Sequence, residues 1–434
     1  MKTCCLIGAC LNTPPKRRVG ARRLQEEARM ANSCRPGAPT GRVFRQALRK
    51  ILRCVHPLTL ALFCIIAAGA GTAAPVAGTT ILVAARDSSA LSKAAAQFVA
   101  DGKGDQEEIN AALRALPPAG GTVALSEGTF DIRRVAGTLG GVLIDRSNVT
   151  LAGQGAATRL VLASNQNVNV IRIIGSGVGH VTIRDLWVDA NRDRNREGTG
   201  DSNISHDRFE FCGIKAFRQA PRGPSAAEDT HDITIRNCIV SDAHRLGIML
   251  EGPNMRVLDN VLGNAGSDSV EILTGPGLIR GNVVEITGQT HVAIGTDRAN
   301  SVIMSDNVVR VKKGGKLDIG FRTWAGSKRH VLANNVLTVE EGGACGLAMD
   351  VRGTETTITG NNLQGLNSTN ATRLRFTAGN AVVTANVLEN IVIEVDDQTS
   401  ADKPLLIHGN VLQNSQIIRR KGKIIESPVK VEKE

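Results

Sequence analysis

Tyrosine is absent from the 434 residues, and aromatic residues as a whole make up 3%. Chemistry that needs a tyrosine hydroxyl is excluded, and Trp187 and Trp324 are the only tryptophans available for stacking on a sugar. Paired cysteine spacing is also missing. Six of the nine cysteines (Cys4, Cys5, Cys10, Cys34, Cys54, Cys64) lie before residue 65, leaving Cys212, Cys238 and Cys345. No CxxC zinc pattern exists, and a Cys212–Cys238 bridge has only weak support. The longest apolar run, Leu58–Ala70, is too short to cross a bilayer comfortably.

The net charge of +11 suggests a nucleic-acid binder until it is placed. Residues 1–56 hold 13 Lys/Arg against Glu26 and Glu27 alone, so the remainder carries 39 bases and 39 acids. A neutral main body argues against nucleic acid as a partner. The basic stretch, the apolar run and the small residues as far as Gly78 follow the order of a secretory signal. Expected boundaries are a basic leader at 1–56, a signal core and cleavage zone (or an N-terminal anchor) at 57–78, the main domain at 79–420 and a charged tail at 421–434. Cleavage after Ala70 fits, and Met30 is an alternative start. The expected location is secreted, periplasmic or at the cell envelope, with membrane contact only through an uncleaved N-terminal segment.

A repeat decides the fold. Asparagine followed by apolar residues recurs at Asn237, Asn260, Asn282, Asn307, Asn335, Asn362, Asn386 and Asn410, at spacings of 22–28 residues. A second short apolar alternation follows each, as in Leu246-Gly-Ile-Met-Leu and Leu317-Asp-Ile-Gly-Phe. Helical repeats need long amphipathic stretches, and propeller blades need about 40 residues. A coil of three short strands fits. The spacing therefore predicts an all-β, single-stranded, right-handed parallel β-helix of about 9–11 coils. The asparagines should form an internal ladder at turn positions that tolerate left-handed backbone. Residues 105–116 predict an N-terminal capping α-helix, with Asp105 and Glu108 at capping-box spacing and Ile109, Leu113 and Leu116 on one stripe.

Two stretches carry a family likeness: Ala100-Asp-Gly-Lys-Gly-Asp-Gln-Glu-Glu-Ile-Asn-Ala-Ala-Leu, and Gly120-Gly-Thr-Val-Ala-Leu-Ser-Glu-Gly-Thr-Phe. With Asn148-Val-Thr-Leu-Ala-Gly-Gln-Gly they resemble the N-terminal signature of pectate-lyase-superfamily β-helix proteins, including glycoside-hydrolase-28-related and epimerase-like members. Residues 181–275 are distantly similar to mannuronan C5-epimerases. That resemblance would place the catalytic Tyr, Asp and His at Leu246, Met249 and Glu251, with a later Asp at Asp268. Only Asp268 keeps the chemistry, so the epimerase residue set is largely lost.

Alternation along the second strand of each coil predicts Ile248, Leu250, Val270, Ile272, Val292, Ile294, Leu317 and Ile319 inside. Glu251, Glu271, Asp297, Asp318, Arg322 and Asp350 then face out, with His244, Arg245, Asp268, His291 and Lys316 at the preceding turns. From this face the candidate catalytic residues are Asp268, Glu271, His291, Asp318 and Arg322. The candidate substrate-binding residues are His244, Arg245, Glu251, Lys316 and Trp324. Such a set suits lysis, hydrolysis or epimerisation of an acidic, uronate-containing polysaccharide. Scarce aromatics count against tight binding of neutral sugars more than of acidic ones. No metal-ligand set is evident and no cofactor is required, although carboxylates holding Ca²⁺ are an option. A non-catalytic glycan-binding or envelope protein is the alternative. The excursion Asp189–Phe211, with His206-Asp207, is expected to flank the groove.

Overall fold

Short period-2 strands cannot bury an apolar face alone, so they stack. The computed structural model describes residues 78–195, 211–216, 230–366, 371–396, 403–420 and 424–430. The leader, the cleavage zone, the His206-Asp207 pair and most of the tail lie outside the described residues. Within them the chain is a parallel β-helix with three faces. One face is a sheet of eleven strands, one per coil, from Gly140–Ile144 to Gln416–Arg419. The other two faces share a 24-stranded sheet. All pairings are parallel.

Strict register makes the core continuous. Val142, Ile171, Ile214, Ile248, Val270, Ile294, Phe321, Met349, Leu374 and Ile393 stand in one line, one per coil. All are fully buried. Each contributes about 1.5–3 kcal/mol relative to exposure. Two expected inward residues differ. Val292 and Ile319 are buried but do not join the continuous core, whereas Ala293 does. Adjacent Ala293 and Ile294 both join the core, so simple alternation fails there.

The asparagine ladder is present, with two corrections. Asn260, Asn282, Asn307, Asn335, Asn361, Asn386 and Asn410 form it, each Nδ2 donating to the next Oδ1 at 2.8–2.9 Å or 3.0 Å. Each backbone N–H donates to the same Oδ1. Asn361, not Asn362, is the member, because Asn362 pairs with Val336. Cys238, not Asn237, occupies the first position, since Ile239 pairs with Val261. Left-handed backbone falls on the preceding residue, as at Asp259, Asp306 and Asn334.

A helix spans Gln106–Ala115 and buries Ile109 and Leu113. The capping box does not form. Asp105 is itself helical and accepts from the Gly102 and Asp131 amides instead. Cys212, Cys238 and Cys345 are free and buried, so the Cys212–Cys238 bridge is not formed. Among the described residues no helix is long and apolar enough to cross a membrane.

The ladder makes one prediction. Asn335→Ala leaves the buried Asn307 backbone N–H without its acceptor and removes the Nδ2 bonds to the Met304 carbonyl and Asn361 Oδ1. Unsatisfied buried groups cost about 1–3 kcal/mol each. A drop in Tm of several degrees is expected in thermal unfolding; an unchanged Tm would show that the ladder does not hold the coils.

Candidate active site

Stacked coils repeat about every 4.8 Å, so one strand position becomes a column of side chains. On the eleven-stranded face one such column reads Arg172, Lys215, Met249, Glu271, Gly295, Arg322, Asp350, Arg375 and Glu394. Seven of the nine are ionisable side chains facing away from the core. They were expected to be solvated, yet Arg172, Lys215, Glu271, Arg322, Asp350 and Glu394 are buried. Burial of that kind must be repaid by pairing.

The pairing centres on Arg322. Its Nη2 donates to Asp268 Oδ2 at 2.5 Å and to Glu271 Oε1 at 2.7 Å. Arg322 stands two coils beyond Glu271, about 9–10 Å along the stack. It reaches back because the intervening position is Gly295. A Cβ there would lie 3.5 Å from the Arg322 Nε and Nη2. Any larger side chain would occupy the path of the guanidinium. Trp324 supports the other side, with the Arg322 guanidinium 4.8 Å and that of Arg352 4.5 Å from its ring centre. The buried Arg322 Nε has no hydrogen-bond partner among the described residues.

Asp268 opens its strand, Asp268–Thr274, and its Oδ1 accepts from the Ser267 hydroxyl at 2.9 Å. Asp268 and Glu271, three residues apart, both meet one guanidinium. Burial pushes the Glu271 carboxyl up to about 8, and the neighbouring Asp268 charge adds to the rise. Burial raises Asp268 as well, against the pull of Arg322, Ser267 and His291. Both carboxyls are thus shifted toward the protonated form, with Arg322 the main opposing influence on each.

A second pair adjoins the first. His291 Nδ1 and Asp318 Oδ2 are 2.8 Å apart, and both side chains are about half exposed. Gln289 Nε2 donates to Asp318 Oδ1 at 3.2 Å. His291 is tied to the coil below through its N–H to the Ser267 carbonyl, next to Asp268. Its Nε2 has no partner among the described residues. An imidazole oriented by a carboxylate is a general-base arrangement.

The remaining candidates spread out. His244 and Gln289 line a polar cavity of about 670 Å³ with Asp189, Asn191, Arg192, Asp193, Asp242 and Asn264. Arg192 closes one side through its bonds to the Asn264 and Gln289 carbonyls. Arg245 is half-buried. Glu251 pairs in register with Leu273, a column away from Glu271. Lys316 is exposed, in register with Gln289, and forms no ion pair among the described residues. Sequence reasoning missed Gly295, Ser267 and Gln289. A glycine inside an otherwise charged column was the available signal for Gly295.

Leu246 and Met249 pack with Cys212 and Leu273 in a small apolar cluster. Two of the four positions singled out by the epimerase likeness, Leu246 and Met249, are thus apolar, while Glu251 and Asp268 are acidic. The carboxylates stand one coil further along, with Glu271 following Met249 in register.

No family model matches the chain. "Alginate lyase 7" of Azotobacter vinelandii is 30% identical over 196 residues, which cover 40% of this chain and 22% of that protein. The match thus spans about a fifth of the relative's length. DFA-IIIase from Arthrobacter chlorophenolicus A6, in complex with GF2, superposes with a TM-score of 0.51 at 14% identity. That superposition covers 79% of this chain and 85% of the other. The mannuronan C-5 epimerase AlgE6 A-module of Azotobacter vinelandii gives a TM-score of 0.46 at 18% identity, covering 77% of this chain and 97% of that one. At such identities the likeness establishes the β-helix fold.

Removing the guanidinium tests the electrostatics. Arg322→Met leaves two buried acids without a counter-ion, a loss of about 3–5 kcal/mol where both must ionise. Raised acids in the folded state stabilise it at low pH and lose that contribution as pH rises toward about 8. The Tm deficit of Arg322→Met should therefore be larger at pH 8 than at pH 5. An equal deficit at both would contradict the shared-charge reading.

Proposed function

We propose that this protein is an exported carbohydrate-active enzyme that acts on an acidic, uronate-containing polysaccharide along the eleven-stranded face. One observation carries this reading: the buried carboxyls of Glu271 and Asp268 meet the Arg322 guanidinium beside an imidazole oriented by Asp318. The alginate lyase match supports the substrate class. The basic–apolar–small order of the leader supports export.

The roles follow from charge. A uronate C5–H is acidic because its carbanion is delocalised into the adjoining carboxylate. His291 Nε2 takes that proton, and Asp318 stabilises the resulting imidazolium. The Arg322 guanidinium supplies the positive charge that offsets the substrate carboxylate. Glu271 returns a proton. Delivered to the departing O4, it gives elimination; delivered to the opposite face of C5, it gives epimerisation. Asp268 and Arg322 set how readily Glu271 releases it.

Hydrolysis is the second reading, because both carboxylates bond to one nitrogen and so lie no wider than the roughly 5–5.5 Å of a retaining glycosidase pair. A uronate-glycan panel separates the readings through unsaturated product, C5 inversion by NMR, or new reducing ends. Under the main reading His291→Ala and Glu271→Gln each lower kcat by about 10²–10⁴-fold. The Glu271-dependent limb of the wild-type rate falls above about pH 8, as the acid is lost. Binding without turnover across the panel would leave a non-catalytic glycan-binding protein and overturn the enzyme reading.

A further inference from the structure

A second group of chemically competent side chains lies in the other sheet, away from the carboxylates. His180 sits on the strand Val178–Arg184, and His231 and Asp232 on Thr230–Arg236. The two strands are adjacent, with His231 in register with Gly179 and Ile233 with Val181. His180 and Asp232 both adopt left-handed backbone, at φ 55° and 52°. The flanking coils use Asn148 and Asn254 in the same conformation, at φ 61° and 59°. Asparagine suits such a turn without further chemistry. On the two middle coils the turn instead presents an imidazole and a carboxylate.

One nitrogen from each histidine and one oxygen from Asp232 all lie within 4.8 Å of one another. The His180 and His231 rings meet edge to face, with centres 5.2 Å apart and planes at 88°. Asp232 Oδ2 is 2.8 Å from His231 Nδ1. His231 occupies a prepared space: a Cβ at Gly179 would fall 2.1 Å from its Cε1 and 2.5 Å from its Nε2. His180 is exposed and free to swing.

We propose that His180, His231 and Asp232 bind a divalent transition metal of the zinc class as a clip between these two coils. Two imidazoles and a carboxylate are a borderline donor set, matched to Zn²⁺ and its neighbours rather than to Ca²⁺. Metal–ligand distances near 2.0–2.1 Å put tetrahedral donors about 3.3–3.5 Å apart, so separations of up to 4.8 Å close on binding while the 2.8 Å His231–Asp232 contact opens. Three protein ligands leave one position for water. The clip ties together residues far apart in sequence, where closure of a long segment stabilises most. It stands in a different sheet from Asp268, Glu271 and Arg322, so its test is independent of any activity there.

The test uses the full chain freed of any polyhistidine tag, titrated with zinc chloride alone in competition with a chromophoric chelator, with Tm followed in parallel. One equivalent is expected to bind and to raise Tm by mass action. His180→Ala and His231→Ala should each weaken binding by about tenfold or more. Gly179→Ala keeps every ligand but displaces the His231 ring, so a weakening of about tenfold is expected there too. No saturable uptake, uptake unchanged in the His180→Ala/His231→Ala double variant, or Ca²⁺ binding there as tightly as Zn²⁺ would each overturn the assignment.

Discussion

Register is the constraint on which everything else depends. Each ladder asparagine closes both a side-chain and a backbone bond to the next coil, so a slip by one residue would strand buried donors and acceptors along the stack. With the register fixed, a position in one coil is bound to its counterparts above and below. The apolar line from Val142 to Ile393 and the charged column from Arg172 to Glu394 are two readings of that rule.

The charged column shows how a repetitive scaffold acquires a specific site. Arg322 meets Glu271 across a coil only because Gly295 offers no side chain between them. Further along, Asp350 is satisfied by Arg352 and Arg375, and Glu394 by Arg420. Those neighbours use one acid among bases. At Arg322 the balance reverses, with two acids on one nitrogen, and the excess proton is the functional asset.

Much of this was legible in the residues. The coil count, the parallel stacking and the convergence of Asp268, Glu271 and Arg322 on one face follow from spacing and alternation. What escaped has physical causes. Asn362 and Asn361 are adjacent, and only pairing with the next coil tells them apart. Cys238 fills a ladder position without ladder chemistry, so Asn237 beside it looked equivalent. Period-2 alternation breaks at Ala293 and Ile294, which both enter the core, and the burial of the outer column depends on tertiary packing that periodicity does not carry. His180 and His231 are 51 residues apart in the chain and become neighbours only through the coil register.

The central claim is that two carboxyls, buried against one guanidinium, keep Glu271 protonated at neutral pH. Infrared difference spectra between the wild type and Glu271→Gln, recorded across pH, isolate that carboxyl. The account predicts a protonated C=O band that persists at pH 7, ionises near 8 and shifts to lower pH in Asp268→Asn, where the neighbouring charge is gone. A Glu271 that ionises near its ordinary 4.5, and is indifferent to Asp268, would contradict it.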